Sequence, residues 1–149
     1  MFDQVLKFMI LLFLGLQATI CLADGLTVTV AELKAKSAQK LSKEELDALV
    51  PDSTFRNETE SSNRSWTHYK DGTLAAFGQK KPGQGSTYPA SARGKWRVTD
   101  DGKLCVEVEW PVIATEKWCL IVYKLEDYYV GVRNDVDDAV KGYKFAQKK

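Results

Sequence analysis

Apolar residues follow three successive patterns along this chain. They are unbroken from Phe8 to Leu16, recur at helical spacing between Thr29 and Val50, and alternate with polar residues after Pro51. The unbroken run follows a weakly charged start, Asp3 and Lys7, and precedes the small-residue site Cys21-Leu22-Ala23. That layout predicts a signal peptide over residues 1–23, cut before Asp24. A bilayer span needs about 20 apolar residues. The run is shorter, so the leader is expected to be removed rather than kept as an anchor. Cys21 fits an ordinary cleavage site better than a lipidation site, because Ile20 stands where a small residue is usual.

In the second pattern Ala31, Leu33, Leu41, Leu46 and Leu49 are interleaved with Lys and Glu. Ser42 followed by Glu45 has the form of a capping box, with Leu41 and Leu46 placed as a hydrophobic staple. Two short helices are predicted, over 30–37 and 43–49, and Pro51 ends the second. Such a segment covers one side or one end of a sheet.

The third pattern predicts strands over 65–70, 73–77, 95–99, 103–110, 117–124 and 128–133. Asp71-Gly72 reads as a two-residue hairpin loop with both residues at positive φ. Asp100-Asp101-Gly102 reads as a three-residue loop with Gly102 left-handed. Leu125-Glu126-Asp127 marks a further turn. The polar stretch 57–64 and the Gly-, Ser-, Pro- and Lys-rich stretch 78–94 read as loops.

Removal of the leader leaves Cys105 and Cys119 in a compartment where disulfides persist. Setting them opposite each other in antiparallel register places Glu107 opposite Lys117, Val106 opposite Trp118 and Leu104 opposite Leu120. Through the Asp-Asp-Gly turn, Val98 then faces Leu104 and Trp96 faces Val106. One face becomes apolar: Trp96, Val98, Leu104, Val106, Val108, Trp118, Leu120 and Val122. The other carries Arg97, Cys105, Glu107, Glu109, Lys117 and Cys119. A slip of one residue would exchange the faces of a strand. The predicted disulfide is therefore structural and lies on the outer face.

The 149 residues include 21 basic and 20 acidic ones, a balance that argues against a nucleic-acid binder. No second apolar run is long enough to span a bilayer, so no membrane span is expected after cleavage. The expected organisation is one compact α+β domain over 24–149, helical over 30–50 and β-rich over 54–146. Its core is an antiparallel β-meander of about seven strands, either a small barrel or a curved sheet.

Several short motifs sit in a particular order: Glu44-Glu45-Leu46 before Pro51, Trp66 with Tyr69-x-Asp71-Gly72-Thr73, Gly94-x-Trp96-Arg97-Val98, Asp101-Gly102-x-Leu104-Cys105 and Cys119-x-x-Val122-Tyr123. Over 44–130 the chain resembles the domain of unknown function family 995, small exported bacterial proteins. The resemblance implies export and a β-rich domain. It implies no activity and supplies no catalytic residues.

Candidate chemistry is sparse. His68, the single histidine, has a general base's side chain, but alternation makes it a half-exposed strand residue beside a turn. Glu107 and Glu109 would stand about 7 Å apart on one face, a spacing seen in glycoside hydrolysis, but their alternation with Val106 and Val108 reads first as an ordinary solvated face. Residues 134–138 are acidic but lack the glycine and final glutamate of an EF-hand loop. Loop 78–94 lacks a phosphate-loop ending. No metal or cofactor is expected. The leading expectation is a non-enzymatic binding or interaction module, periplasmic or secreted, for a protein or a small molecule. Its candidate contact residues are Trp66, His68, Tyr69 and, in the long loop, Tyr88. Two alternatives stand beside it: a small secreted hydrolase using His68 with Glu107 or Glu109, and a structural or stress-related envelope protein.

Overall fold

A computed structural model describes residues 26–83, 90–111 and 114–148. The expected leader, its cleavage site and Tyr88 lie outside the described residues. In chain order the elements are β1 (Thr27–Thr29), α1 (Val30–Ala35), β2 (Gln39–Lys40), α2 (Lys43–Leu49), β3 (Ser53–Glu58), β4 (Ser62–His68), β5 (Thr73–Lys80), β6 (Ala90–Val98), β7 (Leu104–Glu109), β8 (Glu116–Leu125), β9 (Tyr128–Val132) and β10 (Lys141–Lys148).

From β3 to β10 each strand pairs antiparallel with the next, and β10 returns to β3 through Ala146 opposite Arg56. The result is a closed eight-stranded up-and-down barrel. Closure gives every barrel strand two neighbours and leaves no open edge. β1 adds to β10 and β2 to β8 outside the ring. The α+β expectation holds only in part: the two short N-terminal helices are present, but the described chain is mostly antiparallel β. The meander itself is present with one more strand than expected, and it closes.

The predicted register holds at every pair named above, including Cys105 opposite Cys119 and Glu107 opposite Lys117. The cysteines are joined, and Lys117 Nζ lies 2.9 Å from Glu107 Oε1. The two glycine turns share one form. Thr99 N donates to Lys103 O and Gly102 N to Thr99 O, with Gly102 at φ 72°. Tyr69 N donates to Thr73 O and Gly72 N to Tyr69 O, with Gly72 at φ 83°. The loop at Asp71 therefore has three residues, 70–72, not two. Asp71 keeps a negative φ, and its carboxylate accepts from Thr73 N at 2.9 Å and Thr73 Oγ1 at 2.6 Å.

Two expected loops are strands. Residues 57–64 fall in β3 and β4, with 59–61 as their connection, and residues 78–80 and 90–94 of the expected long loop belong to β5 and β6. Both misreadings have one origin. Asn57, Ser62 and Arg64 are inward-facing yet polar, so the run loses its alternation. Gly78, Ala90, Ala92 and Gly94 are inward-facing yet small, so they resemble loop composition. At Gly78 a Cβ would sit 3.3 Å from the Trp110 ring, which occupies the space a side chain would take.

The two predicted helices form close to their expected limits. In each, the N-cap side chain accepts from the third helical N–H, and a glutamate returns the bond: Thr29 with Glu32, Ser42 with Glu45. Neither helix is long enough to be stable alone, so packing holds them. Helix α2 presents Leu46 and Val50, both fully buried, to one end of the barrel. Leu41, Leu74, Val106, Val108 and Val122 belong to the same core. A second core lies outside the ring, where Val28, Val30 and Leu33 cover Ile121, Leu125, Val130 and Val132. No helix among the described residues is long and apolar enough to cross a membrane.

Candidate functional site: the barrel interior

Strand direction sorts the connections into two groups. The turns at 69–72, 99–103 and 126–127 surround α2 at the closed end. The connections 59–61, 81–89, 110–115 and 133–140 leave from the opposite end, which no helix covers among the described residues. An eight-stranded barrel is just wide enough for side chains to fill or for one small ligand to occupy. Here the α2 end is filled by aliphatic side chains. The other end opens into a cavity of ≈ 1080 Å³.

Aromatic rings form much of that cavity's wall. Phe55, Trp66, Trp118, Tyr143 and Phe145 line it. Trp66 and Trp118 meet edge to face across the interior, with ring centroids 6.0 Å apart. Beside them runs a row of contacting rings: Tyr129 to Phe145 at 5.7 Å, Phe145 to Phe55 at 4.8 Å, Phe55 to His68 at 4.7 Å and His68 to Trp96 at 5.8 Å. Trp96 Nε1 donates to Tyr69 O at 2.8 Å. By contrast, Trp66 Nε1 and Trp110 Nε1 are buried without a partner, an unusual state for such donors.

His68 is 1% exposed, not half-exposed as alternation suggested. Its Nδ1 lies 3.4 Å from Ser53 O, and its Nε2 has no partner. Burial lowers its pKa to about 4, against a smaller opposing effect of the Ser53 carbonyl. The imidazole is therefore neutral at pH 7. Glu107 and Glu109 point out of the barrel while His68 points in. The wall thus separates the residues that the hydrolase reading needed together.

Of the expected contact residues, Trp66 lines the cavity. His68 touches it only through Phe55, its ring neighbour. Tyr69 is 46% exposed at the α2 end, away from the mouth, because β4 runs from the mouth towards α2.

Polar groups on the lining include Asn57, Arg64 and Glu116, with Glu60, Arg133 and Lys141. Asn57 Nδ2 donates to Lys144 O at 2.7 Å. Arg64 Nη1 lies 3.5 Å from Glu116 Oε1. Neither charged residue was among the candidates. Both carried a signal: Arg64 is two residues before Trp66 and so shares its face, and Glu116 falls opposite Val108 when the Glu107–Lys117 pairing is extended by one.

The acidic stretch 134–138 is built into the scaffold. Asp135 accepts from Lys40 Nζ at 2.8 Å and from Tyr123 Oη at 2.9 Å. Those two bonds, Lys40 first, hold its carboxyl below the usual range, while burial and this contact push Tyr123 up to about 12. Asp138 pairs with Lys34 at 2.6 Å. No group of three metal-ligating side chains occurs among the described residues.

Fold and site together define a closed antiparallel β-barrel, plugged at one end by a helix and open at the other into an aromatic cavity. The chain belongs to the family described as "Protein of unknown function (DUF995)", which it matches over residues 18–119. The match extends to Cys119 within β8. No curated protein and no solved structure matches the chain.

Proposed function

We propose that this protein is a non-enzymatic binding protein of the bacterial envelope that holds one small amphipathic molecule inside its barrel. The observation that carries this reading is the cavity: ≈ 1080 Å³, walled by Phe55, Trp66, Trp118 and Phe145, and open at one end. Protein interiors are close-packed, and the α2 half of this barrel obeys that rule. The open half does not, and its ≈ 1080 Å³ slightly exceeds the roughly 300–1,000 Å³ usual for ligand pockets.

Two features support an exported setting. Cys105 and Cys119 are joined on the outer wall, which suits an oxidising compartment. The leader expected from the sequence over 1–23 would supply the route. The outer wall also displays Arg56, Arg93, Lys95, Arg97 and Glu109 as exposed residues. A membrane-spanning barrel has an apolar outer band instead, so the periplasm or the exterior fits better than a bilayer. A binding role is favoured over hydrolysis because His68 is neutral, buried and walled off from Glu107 and Glu109.

The test pairs two measurements. Native mass spectrometry of the protein from its own host should show an added mass that disappears on denaturation. The neutral probe N-phenyl-1-naphthylamine should brighten on addition and saturate at one per chain, with weaker binding in Trp118→Ala. A bare protein that also leaves the probe dark would end the carrier reading.

A further inference from the structure

We infer that the bound molecule is an anion: an apolar chain or ring system ending in one carboxylate, which displaces Glu116 at Arg64. This rests on the carrier reading and specifies its ligand. The register sets the two side chains at one end of the interior. Arg64 lies between Asn57 and Gly78 on the inward face, and Glu116 lies opposite Val108. Both line the cavity.

Their contact is loose. At 3.5 Å it is longer than the roughly 2.7–2.9 Å of a charge-assisted hydrogen bond. The other six ion pairs among the described residues measure 2.5–2.9 Å. No hydrogen bond among the described residues occupies the Arg64 guanidinium, whose planar fork matches a carboxylate with two parallel bonds. A ligand carboxylate could take both where Glu116 takes neither well.

The wider charge pattern points the same way. The basic residues on the lining are Arg64, Lys117, Arg133 and Lys141, against Glu60 and Glu116. Lys117 is held by Glu107, while Arg133 and Lys141 have no ion-pair partner among the described residues. A low-dielectric cleft with an excess of positive charge concentrates anions. Trp66, on the face of Arg64, has a buried Nε1 donor without an acceptor, and a ligand oxygen would supply one. Phe55, Trp66, Trp118 and Phe145 on the same lining offer the rest of the ligand an apolar surface.

The experiment displaces N-phenyl-1-naphthylamine from the purified protein at pH 7.5 with three amphiphiles of one chain length: decanoate, 1-decanol and decyltrimethylammonium. Decanoate should compete at a concentration about tenfold lower than decanol, with the cation weakest, since a charge-assisted hydrogen bond gives about this much. Arg64→Gln should remove the advantage of decanoate and leave decanol unchanged. Glu116→Gln should act in the opposite direction and tighten decanoate severalfold, because it frees the guanidinium from its competitor. If Arg64 and Glu116 only braced the mouth, both substitutions would weaken all three ligands. Equal competition by the three amphiphiles in the wild-type protein would overturn the charge inference and leave the carrier reading standing. Tightest binding of the cation would overturn it too, with Glu116 as the receptor. Failure of the probe and of every amphiphile would remove both readings.

Discussion

Acidification should destabilise this protein through His68 before its carboxylates are protonated. The imidazole lies between the rings of Phe55 and Trp96, with no charged group among the causes of its shift. Its pKa is about 4 in the folded chain and near 6.5 when solvated. Between those values the unfolded chain binds a proton that the folded chain refuses. The stabilising effect of the neutral ring is therefore complete above pH 6.5 and is lost as the pH falls from 6.5 towards 4. The loss amounts to about 2 kcal/mol at pH 5 and about 3 kcal/mol below pH 4. Urea unfolding at pH 7.5 and pH 5 measures it directly, with His68→Leu as the non-titrating reference. Leucine suits the apolar site and gives up the ring contacts with Phe55 and Trp96 and, as its one polar contact, a long 3.4 Å approach to Ser53 O. The wild-type protein should lose about 2 kcal/mol more than the variant between the two pH values. Equal losses would mean that His68 is protonated inside the fold and that its burial has been misjudged.

Three further variants test the scaffold. In Gly94→Ala the new Cβ would stand 2.0 Å from Glu107 O, a backbone atom of the paired strand; stability should fall by about 2–3 kcal/mol, and an unchanged urea midpoint would rule out the close approach of β6 and β7. Ser42→Ala removes the acceptor that Glu45 N reaches at 3.2 Å, and should cost about 1 kcal/mol, whereas a neutral result would show that α2 is held by Leu46 and Val50 alone. The double variant Cys105→Ala, Cys119→Ala opens a disulfide of sequence separation 14, for which the loop-entropy estimate is about 3 kcal/mol; equal stability of the two proteins would show that the unfolded chain gains little freedom from the change.

What could be read from the sequence was local. Asp100-Asp101-Gly102 set the β6–β7 turn, the two cysteines set β7 against β8, and alternation then assigned each side chain to a face. One step from the Glu107–Lys117 pair reaches Val106 opposite Trp118, and two more reach Leu104 opposite Leu120. Closure of the barrel has no such local mark. It depends on Ala146 meeting Arg56, far apart in sequence, through a strand whose residues form no turn signal. The outer cover was similarly hidden. β8 is apolar on both faces because Trp118, Leu120 and Val122 point inward while Ile121 and Leu125 lie under Val30 and Leu33. A strand buried on both sides loses the alternation that would show where each side goes.

The failures at 57–64 and at Glu116 are of another kind. There the sequence breaks the pattern that the rest of the barrel keeps. A barrel built only for stability would continue the inward series Val106, Val108, Val122 and close its second half as it closes the first. Instead it places a guanidinium at 64 and a carboxylate at 116, and both must give up part of their hydration there. Their side chains stay 40% and 27% exposed, so the pair contributes little to folding. An interior pair that stabilises little, in a cavity that packing has left open, has no explanation in the fold alone. Departures from local consistency concentrate at functional sites. On that argument the misread stretch, rather than the well-read strands, is where the proposed ligand would be selected.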